Sequence, residues 1–176
     1  GRQTAAYLAE HAPADLRLAI AGRSRARLEG GLAGLNRAGV GIIVADSGEQ
    51  ASVDAMARST RVVATTAGPF ALYGTSVVEA CVRHKTHYCD ITGETPWVRD
   101  MIDQHHAQAQ ADGTRIVPLC GFDSVPADMG TFALVRYLAE TLGEPTRRVK
   151  GWYRLRGGLN GGTLASALNL NASGEL

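Results

Sequence analysis

The 176 residues carry 18 Lys and Arg against 17 Asp and Glu, a formal net charge of +1, so there is no electrostatic case for a nucleic-acid partner or an anionic membrane surface. Hydrophobic residues make up 45% and charged residues 20%, as in an ordinary globular domain, or one domain plus the start of another. Three cysteines (Cys81, Cys89, Cys120), odd in number and outside any Cys-x-x-Cys spacing, argue against a disulfide framework or a zinc site and for a reducing, cytoplasmic compartment.

The first predicted element is an Ala-rich helix from Arg2 to His11, ending before Pro13. Leu16 to Ala21 is an apolar run too short for a helix and stops at Gly22. Ser24 is placed to cap a helix whose Leu28, Leu32 and Leu35 share a face, with Gly39 ending it. Val40 to Ala45 reads as a strand, and Ser47 with Gln50 as a capping box. Val62 to Thr66 is the next strand and leads to Gly68-Pro69; Ser76 and Glu79 then resemble a second capping box. His87 to Ile91 is a strand. Thr95-Pro96 has the chemistry of an N-cap and first helical residue, with Val98, Ile102, His105 and Ala109 on one side of the helix before Gly113. Arg115 to Leu119 is a strand, followed by a turn and a helix carrying Phe132, Val135, Leu138 and Leu142 up to Gly143.

Five short apolar strands alternating with helices imply a doubly wound, parallel α/β sheet. A helix at the start, with no strand before it, implies that the first strand of a six-stranded Rossmann-type sheet is lacking. Residues 1–146 would then be a dinucleotide-binding domain truncated at its N-terminus. Residues 147–176 would begin an α+β substrate or dimerisation domain. There Arg147 to Arg156 reads as a longer strand, Gly157 to Gly162 as a turn, and Thr163 as a helix cap. No apolar run approaches the ~18 residues of a membrane span, and there is no signal-peptide pattern.

In such a sheet, ligands bind beyond the carboxyl ends of the strands. Gly1 stands where the last glycine of a phosphate-binding turn would lie. Arg23, with Ser24, follows the second strand of the complete fold, where a carboxylate would bind the ribose of NAD and an arginine accommodates the 2′-phosphate of NADP. One such charge-assisted bond contributes roughly 1.5–3 kcal/mol, about one to two decades of preference. The alternative is a solvated arginine beside a helix start. Asp46-Ser47 is placed either to touch adenine or to cap a helix. The loop Gly68-Pro69-Phe70 to Tyr73-Gly74 permits close backbone approach and offers free helix N–H groups to the nicotinamide half. Tyr73 either donates to substrate or packs with its hydroxyl toward water. Asp90 to Glu94 and Cys120 to Asp128 bring carboxylates to two strand ends, where Asp123 and Ser124 serve either catalysis or helix capping. Cys120 is read as an inert thiol rather than a nucleophile, and His105 and His106 as structural, with no metal site.

Together, Ala21-Gly22-Arg23-Ser24, Gly68-Pro69-Phe70 through Tyr73-Gly74, Asp90-Ile91-Thr92-Gly93-Glu94 and Gly121-Phe122-Asp123-Ser124-Val125-Pro126-Ala127-Asp128 resemble the saccharopine dehydrogenase-like oxidoreductase family. Gly157-Gly158 and Gly161-Gly162-Thr163-Leu164-Ala165-Ser166 are similar to its trans-acting enoyl reductase branch in actinobacterial lipid synthesis. The resemblance implies a Rossmann domain followed by an α+β domain and an NAD(P)H-linked reductase, acting in the enoyl reductase branch on a polyketide-type α,β-unsaturated thioester held on a carrier protein. Tyr73, Asp123 and Ser124 are the expected catalytic residues; Gly1, Arg23, Ser24, Asp46, Gly68, Pro69 and Phe70 are the expected cofactor contacts. Other readings are an amino-acid-type saccharopine enzyme, a non-catalytic NADP-binding sensor or scaffold, and a methyltransferase, the last weakened by Arg23 where an acidic ribose binder is expected. Peripheral attachment to the inner face of the plasma membrane and a homodimer stay open. These residues alone, with only Gly1 of the phosphate turn, are expected to bind cofactor weakly.

Overall fold

The computed structural model describes residues 1–143, 145–154, 156–158 and 161–173. Helices α1 (Arg2–His11), α2 (Arg25–Leu32), α3 (Gln50–Arg58), α4 (Phe70–Tyr73), α5 (Thr75–Arg83), α6 (Thr95–Asp112), α7 (Val125–Leu142) and α8 (Gly161–Ser173) interleave with five strands. These are β1 (Ala19–Gly22), β2 (Gly41–Val44), β3 (Val62–Thr65), β4 (His87–Asp90) and β5 (Ile116–Val117). All pairing is parallel: β1 with β2, and β3 with β4 and β5 in the order β3-β4-β5. Beta-strands 1 and 3 each keep one edge without a strand partner among the described residues. No helix among the described residues is long and apolar enough to cross a membrane.

The core lies on the three-stranded side. Val53, Met56 and Ala57 of α3, Val63, Phe70, Val77, Val78, Ala80, Cys81 and Val82 of α5, Tyr88, and Trp97, Val98 and Met101 of α6 belong to one buried cluster, against which Ile43, Ala45, Ile116 and Leu119 pack. Burying such side chains contributes about 1.5–3 kcal/mol each. The α1–β1 connection is held differently. The Arg37 guanidinium donates to the carbonyls of Ala12 (3.0 Å), Pro13 (2.7 Å), Ala14 (3.3 Å) and Leu16 (2.7 Å), satisfying a loop that has no ladder of its own.

The Ser24 Oγ accepts from Arg27 N (3.4 Å), so this cap forms as expected. Gly113 (φ 71°) and Gly143 (φ 69°) end α6 and α7 in the left-handed conformation. Other local expectations fail. Helix α2 ends at Leu32, leaving Leu35 outside it; Gly39 (φ 76°) serves the turn into β2 instead. The two capping boxes do not form: α3 starts after Glu49 and α5 after Gly74, and Ser76 Oγ donates to the Ser47 carbonyl (2.8 Å). A tertiary bond has taken the hydroxyl. Helix α6 includes Thr95, its N-cap being Glu94, and it buries Met101 while Ile102 stays exposed. The α7 stripe buries nothing. Residues 145–154 form no strand, because none of them pairs with another strand; Leu155, within that expected strand, and Leu159 and Asn160, within the expected glycine turn, lie outside the described residues. Thr163 lies inside α8 rather than capping it.

Candidate functional site

Parallel pairing puts the carboxyl ends of the strands on one side, or rim, within each of the two sheets, and three hydrogen bonds join segments that follow those ends. Ala45 N donates to the Gly22 carbonyl (3.1 Å), Ser76 Oγ to Ser47 O (2.8 Å), and Cys120 N to Asp90 O (2.8 Å). The start of α1 meets the rim after β3: a β-carbon on Gly1 would sit 3.0 Å from Thr66 Oγ1.

At the β1 tip, Arg23 is exposed, and no ion pair or hydrogen bond occupies its guanidinium among the described residues. Helix α2 has no acidic residue in its first turn, so nothing in that turn neutralises the partial positive charge of its N-terminus. Arg25 is engaged with Glu29 (3.9 Å). A free guanidinium beside an uncompensated helix start, with no carboxylate at the strand tip, suits a phosphate monoester on an adenosine ribose. Asp46 shapes its own turn, its Oδ1 accepting from Gly48 N (2.9 Å) while its N–H donates to Ser52 Oγ (2.9 Å).

The loop after β3 differs from expectation. Gly68-Pro69 is a cis peptide, and the N–H groups of Phe70 and Ala71 are not free. Each donates 2.8 Å to one oxygen of Glu94. That carboxylate is 1% exposed and also accepts from Ser166 Oγ of α8 (2.8 Å). Gly74 is needed here: a β-carbon would lie 2.7 Å from the Trp97 ring and 2.8 Å from the Phe70 carbonyl. Trp97 lies tilted against Phe70 (centroids 5.8 Å apart) and donates through Nε1 to Thr75 Oγ1 (3.0 Å).

Glu94 ends a polar ladder. Asp90, Thr92 and Glu94 are buried while Ile91 and Gly93 between them face outward, the two-residue alternation of an extended segment. Buried polar groups must be paired, and these are. Asp90 Oδ2 accepts from Tyr88 Oη (2.7 Å), and its Oδ1 accepts from the N–H groups of Thr92 and Leu119 (3.0 Å each). Thr92 Oγ1 accepts from Glu94 N (3.0 Å). Burial pushes the Asp90 carboxyl above its usual range despite these donors, and burial with the neighbouring Asp90 charge pushes the Tyr88 phenol up. Leu119 adopts a left-handed φ of 62°, with its N–H held by Asp90.

Above this ladder sits Asp123. A β-carbon at Gly93 would meet its Oδ2 at 2.7 Å, and one at Gly121 its Oδ1 at 2.5 Å, so each glycine makes room for one oxygen. The Asp123 carboxylate is exposed and accepts no hydrogen bond from a described residue. Ser124 occupies the N-cap position of α7 without a side-chain cap bond. Tyr73 is exposed at the end of α4, and no hydrogen bond joins it to Asp123 or Ser124. The thiols are held protonated. Burial pushes Cys81 up to about 12, and also raises Cys89 and Cys120. That weighs against a cysteine nucleophile. No group of His, Cys, Asp and Glu among the described residues could hold a metal. Glu94, the residue that organises the rim, was visible in sequence only as one more carboxylate at a strand end; the two-residue spacing of Asp90, Thr92 and Glu94 was its signal.

A parallel α/β sheet with a glycine-rich rim and a free arginine after β1 defines a Rossmann-like nucleotide-binding domain. Residues 1–117 match the model of the saccharopine dehydrogenase NADP binding domain, and the chain belongs to that family, whose cofactor is NADP. It is 44% identical over 142 residues to the trans-acting enoyl reductase of Mycobacterium leprae (strain TN), covering 80% of this chain and 34% of that protein. A relative from Mycobacterium tuberculosis (strain ATCC 25618 / H37Rv) is 41% identical over 97% of this chain and 41% of its own length. The chain thus spans about a third to two fifths of these relatives. Apo saccharopine dehydrogenase (L-Glu forming) from Saccharomyces cerevisiae shares the fold, with a TM-score of 0.64 at 16% identity over 79% of this chain and 29% of that one.

Proposed function

We propose that this chain forms the cofactor side of an NADPH-dependent reductase of enoyl thioesters presented on a carrier protein, a reading supported by its similarity to trans-acting enoyl reductases. The single observation that supports the cofactor half is Arg23, exposed and unpaired at the β1 tip with no carboxylate beside it. In this reading Arg23, Ser24 and the start of α2 hold the adenosine phosphate, Gly1 and Asp46 flank the dinucleotide, and Gly68-Pro69-Phe70 lies under the nicotinamide end. When bound, NADPH supplies the hydride. The chain's own task is then to stabilise negative charge on the thioester oxygen and to deliver a proton to the α-carbon. Tyr73 and Asp123 are exposed and Ser124 is half-buried, and no side-chain hydrogen bond among the described residues occupies them, which leaves them available to an incoming substrate. We place the work in lipid-type synthesis in the cytoplasm, with residues 1–146 as the nucleotide-binding part and 147–176 leading into the substrate side.

The test uses the full-length protein with NADPH and a crotonyl-type thioester, followed by loss of reduced-nicotinamide absorbance. Turnover that collapses when Tyr73, Asp123 and Ser124 are all changed to alanine supports the assignment; unchanged turnover refutes it. Arg23→Ala is expected to weaken NADPH, but not NADH, by about one to two decades. Equal loss for both cofactors would reassign Arg23. Tight NADPH binding without oxidation across a panel of acyl and amino-acid substrates would favour a sensor.

A further inference from the structure

Glu94 is a buried carboxylate with three donors and, among the described residues, no cation paired with it. A charge in that position is expensive unless every lone pair is used. Its donors come from two distant parts of the chain: Phe70 and Ala71 open α4, directly after Gly68-Pro69, and Ser166 belongs to α8. The carboxylate therefore occupies the two amides that a ligand anion would otherwise use. It also fixes the height of the Gly68 loop above the sheet, because the Asp90–Thr92–Glu94 ladder anchors it to β4 and β5.

We infer that Glu94 is the positioning residue for the loop beneath the nicotinamide end of the cofactor, and that Ser166 links α8 to that loop through the same carboxylate. The inference rests on the NADPH reading above. Disturbing Glu94 affects the nicotinamide half and spares the adenosine half, which Arg23 and α2 hold. A glutamine at position 94 keeps the size but presents an N–H₂ to one of the two N–H donors, so one bond is kept and the other is replaced by a donor–donor clash.

The experiment measures two affinities in the full-length protein, NADPH by fluorescence titration and 2′,5′-ADP by calorimetry, together with turnover at saturating NADPH. For Glu94→Gln, 2′,5′-ADP binding stays within twofold of the unmodified protein, NADPH weakens by about 5- to 10-fold, the worth of one hydrogen bond, and turnover falls. Equal weakening of both ligands, or no change in either, overturns the inference. Should that variant fail to fold, Ser166→Ala and Ser166→Thr decide: alanine weakens NADPH selectively by about 2- to 3-fold, and threonine, which keeps the hydroxyl, restores it. Identical NADPH affinity in both overturns the role of Ser166 and α8. If the unmodified protein binds neither ligand, the NADPH reading itself fails, and this inference with it.

Discussion

Helices α6 and α7 share their length and their proline and glycine boundary signals. Each has 18 residues, each carries a proline in its first turn, and each stops at a left-handed glycine, Gly113 or Gly143. Yet α6 buries Trp97, Val98, Met101 and Ala109, while α7, with the more apolar sequence, buries none of its residues. Met129, Phe132 and Tyr137 of α7 are more than half exposed. Start and stop signals decide that a helix forms and where; they do not decide what it packs on. Burial follows the neighbours, and α6 lies against α5 and the three-stranded sheet.

The largest expected effect sharpens that contrast. Trp97→Ala removes a core ring, its contact with Phe70 and its bond to Thr75, and should cost ~3–5 kcal/mol of stability. Phe132→Ala, the same kind of truncation on α7, should cost less than about 1 kcal/mol. Urea denaturation of the two variants checks the pair; equal losses would mean that α7 is packed after all. Gly74→Ala attacks the α6 contact from the other side. Its methyl group must displace the Trp97 ring and the Phe70 carbonyl, and the backbone atom cannot swing away, so a loss of about 1–3 kcal/mol is expected. A melting temperature unchanged by this substitution would show that Trp97 is free to move.

The connection between the two helices responds to pH. Burial raises the Asp90 carboxyl above its ordinary 3.8, so the folded chain binds that proton more tightly than the unfolded one. By linkage, the Asp90 contribution is fully present below the unfolded value and is lost as pH rises from 3.8 through the raised native value. Asp54 works the other way. Burial opposes its charge, but bonds from His84 and Arg83 outweigh that and lower it, so its contribution is lost as pH falls. Asp90→Asn should flatten the first slope and leave the second. The asparagine oxygen can still accept from Thr92 and Leu119, and its N–H₂ can donate to Tyr88 Oη. Denaturation midpoints from pH 4 to 7 that fall equally in both proteins would remove Asp90 from the account.

Much of this was legible in the residues. Each strand lies within or one residue beyond its expected run, because a short run set between helical patterns and bounded by turn residues is too short for a helix. Ser24, Gly113 and Gly143 act as local chemistry requires. The failures share a cause, which is that tertiary partners are not written beside the residue. Ser76 resembles a capping residue, but the Ser47 carbonyl 29 positions away claims its hydroxyl. Residues 145–154 have strand-like composition, but a strand exists only with a neighbour. Glu94 reads as a candidate acid until its two amide donors are seen.

The smallest expected effect lies just past the end of α6. Thr114 is 7% exposed, and its N–H donates to the Ala109 carbonyl (2.8 Å), which completes the helix end. Its Oγ1 is buried with no hydrogen-bond partner among the described residues. It lines a cavity of about 380 Å³ between α6 and β5 whose other walls include Val98, Met101 and Ile116. A buried hydroxyl left unbonded costs free energy, whereas an apolar group of the same shape does not. Thr114→Val keeps the branched shape and deletes only the polar atom, so stability should rise by up to about 1 kcal/mol. A loss of that size in the same denaturation assay would mean that the hydroxyl has a partner, water in the cavity being the first to look for, and that the wall of α6 facing β5 is wetter than its apolar lining suggests.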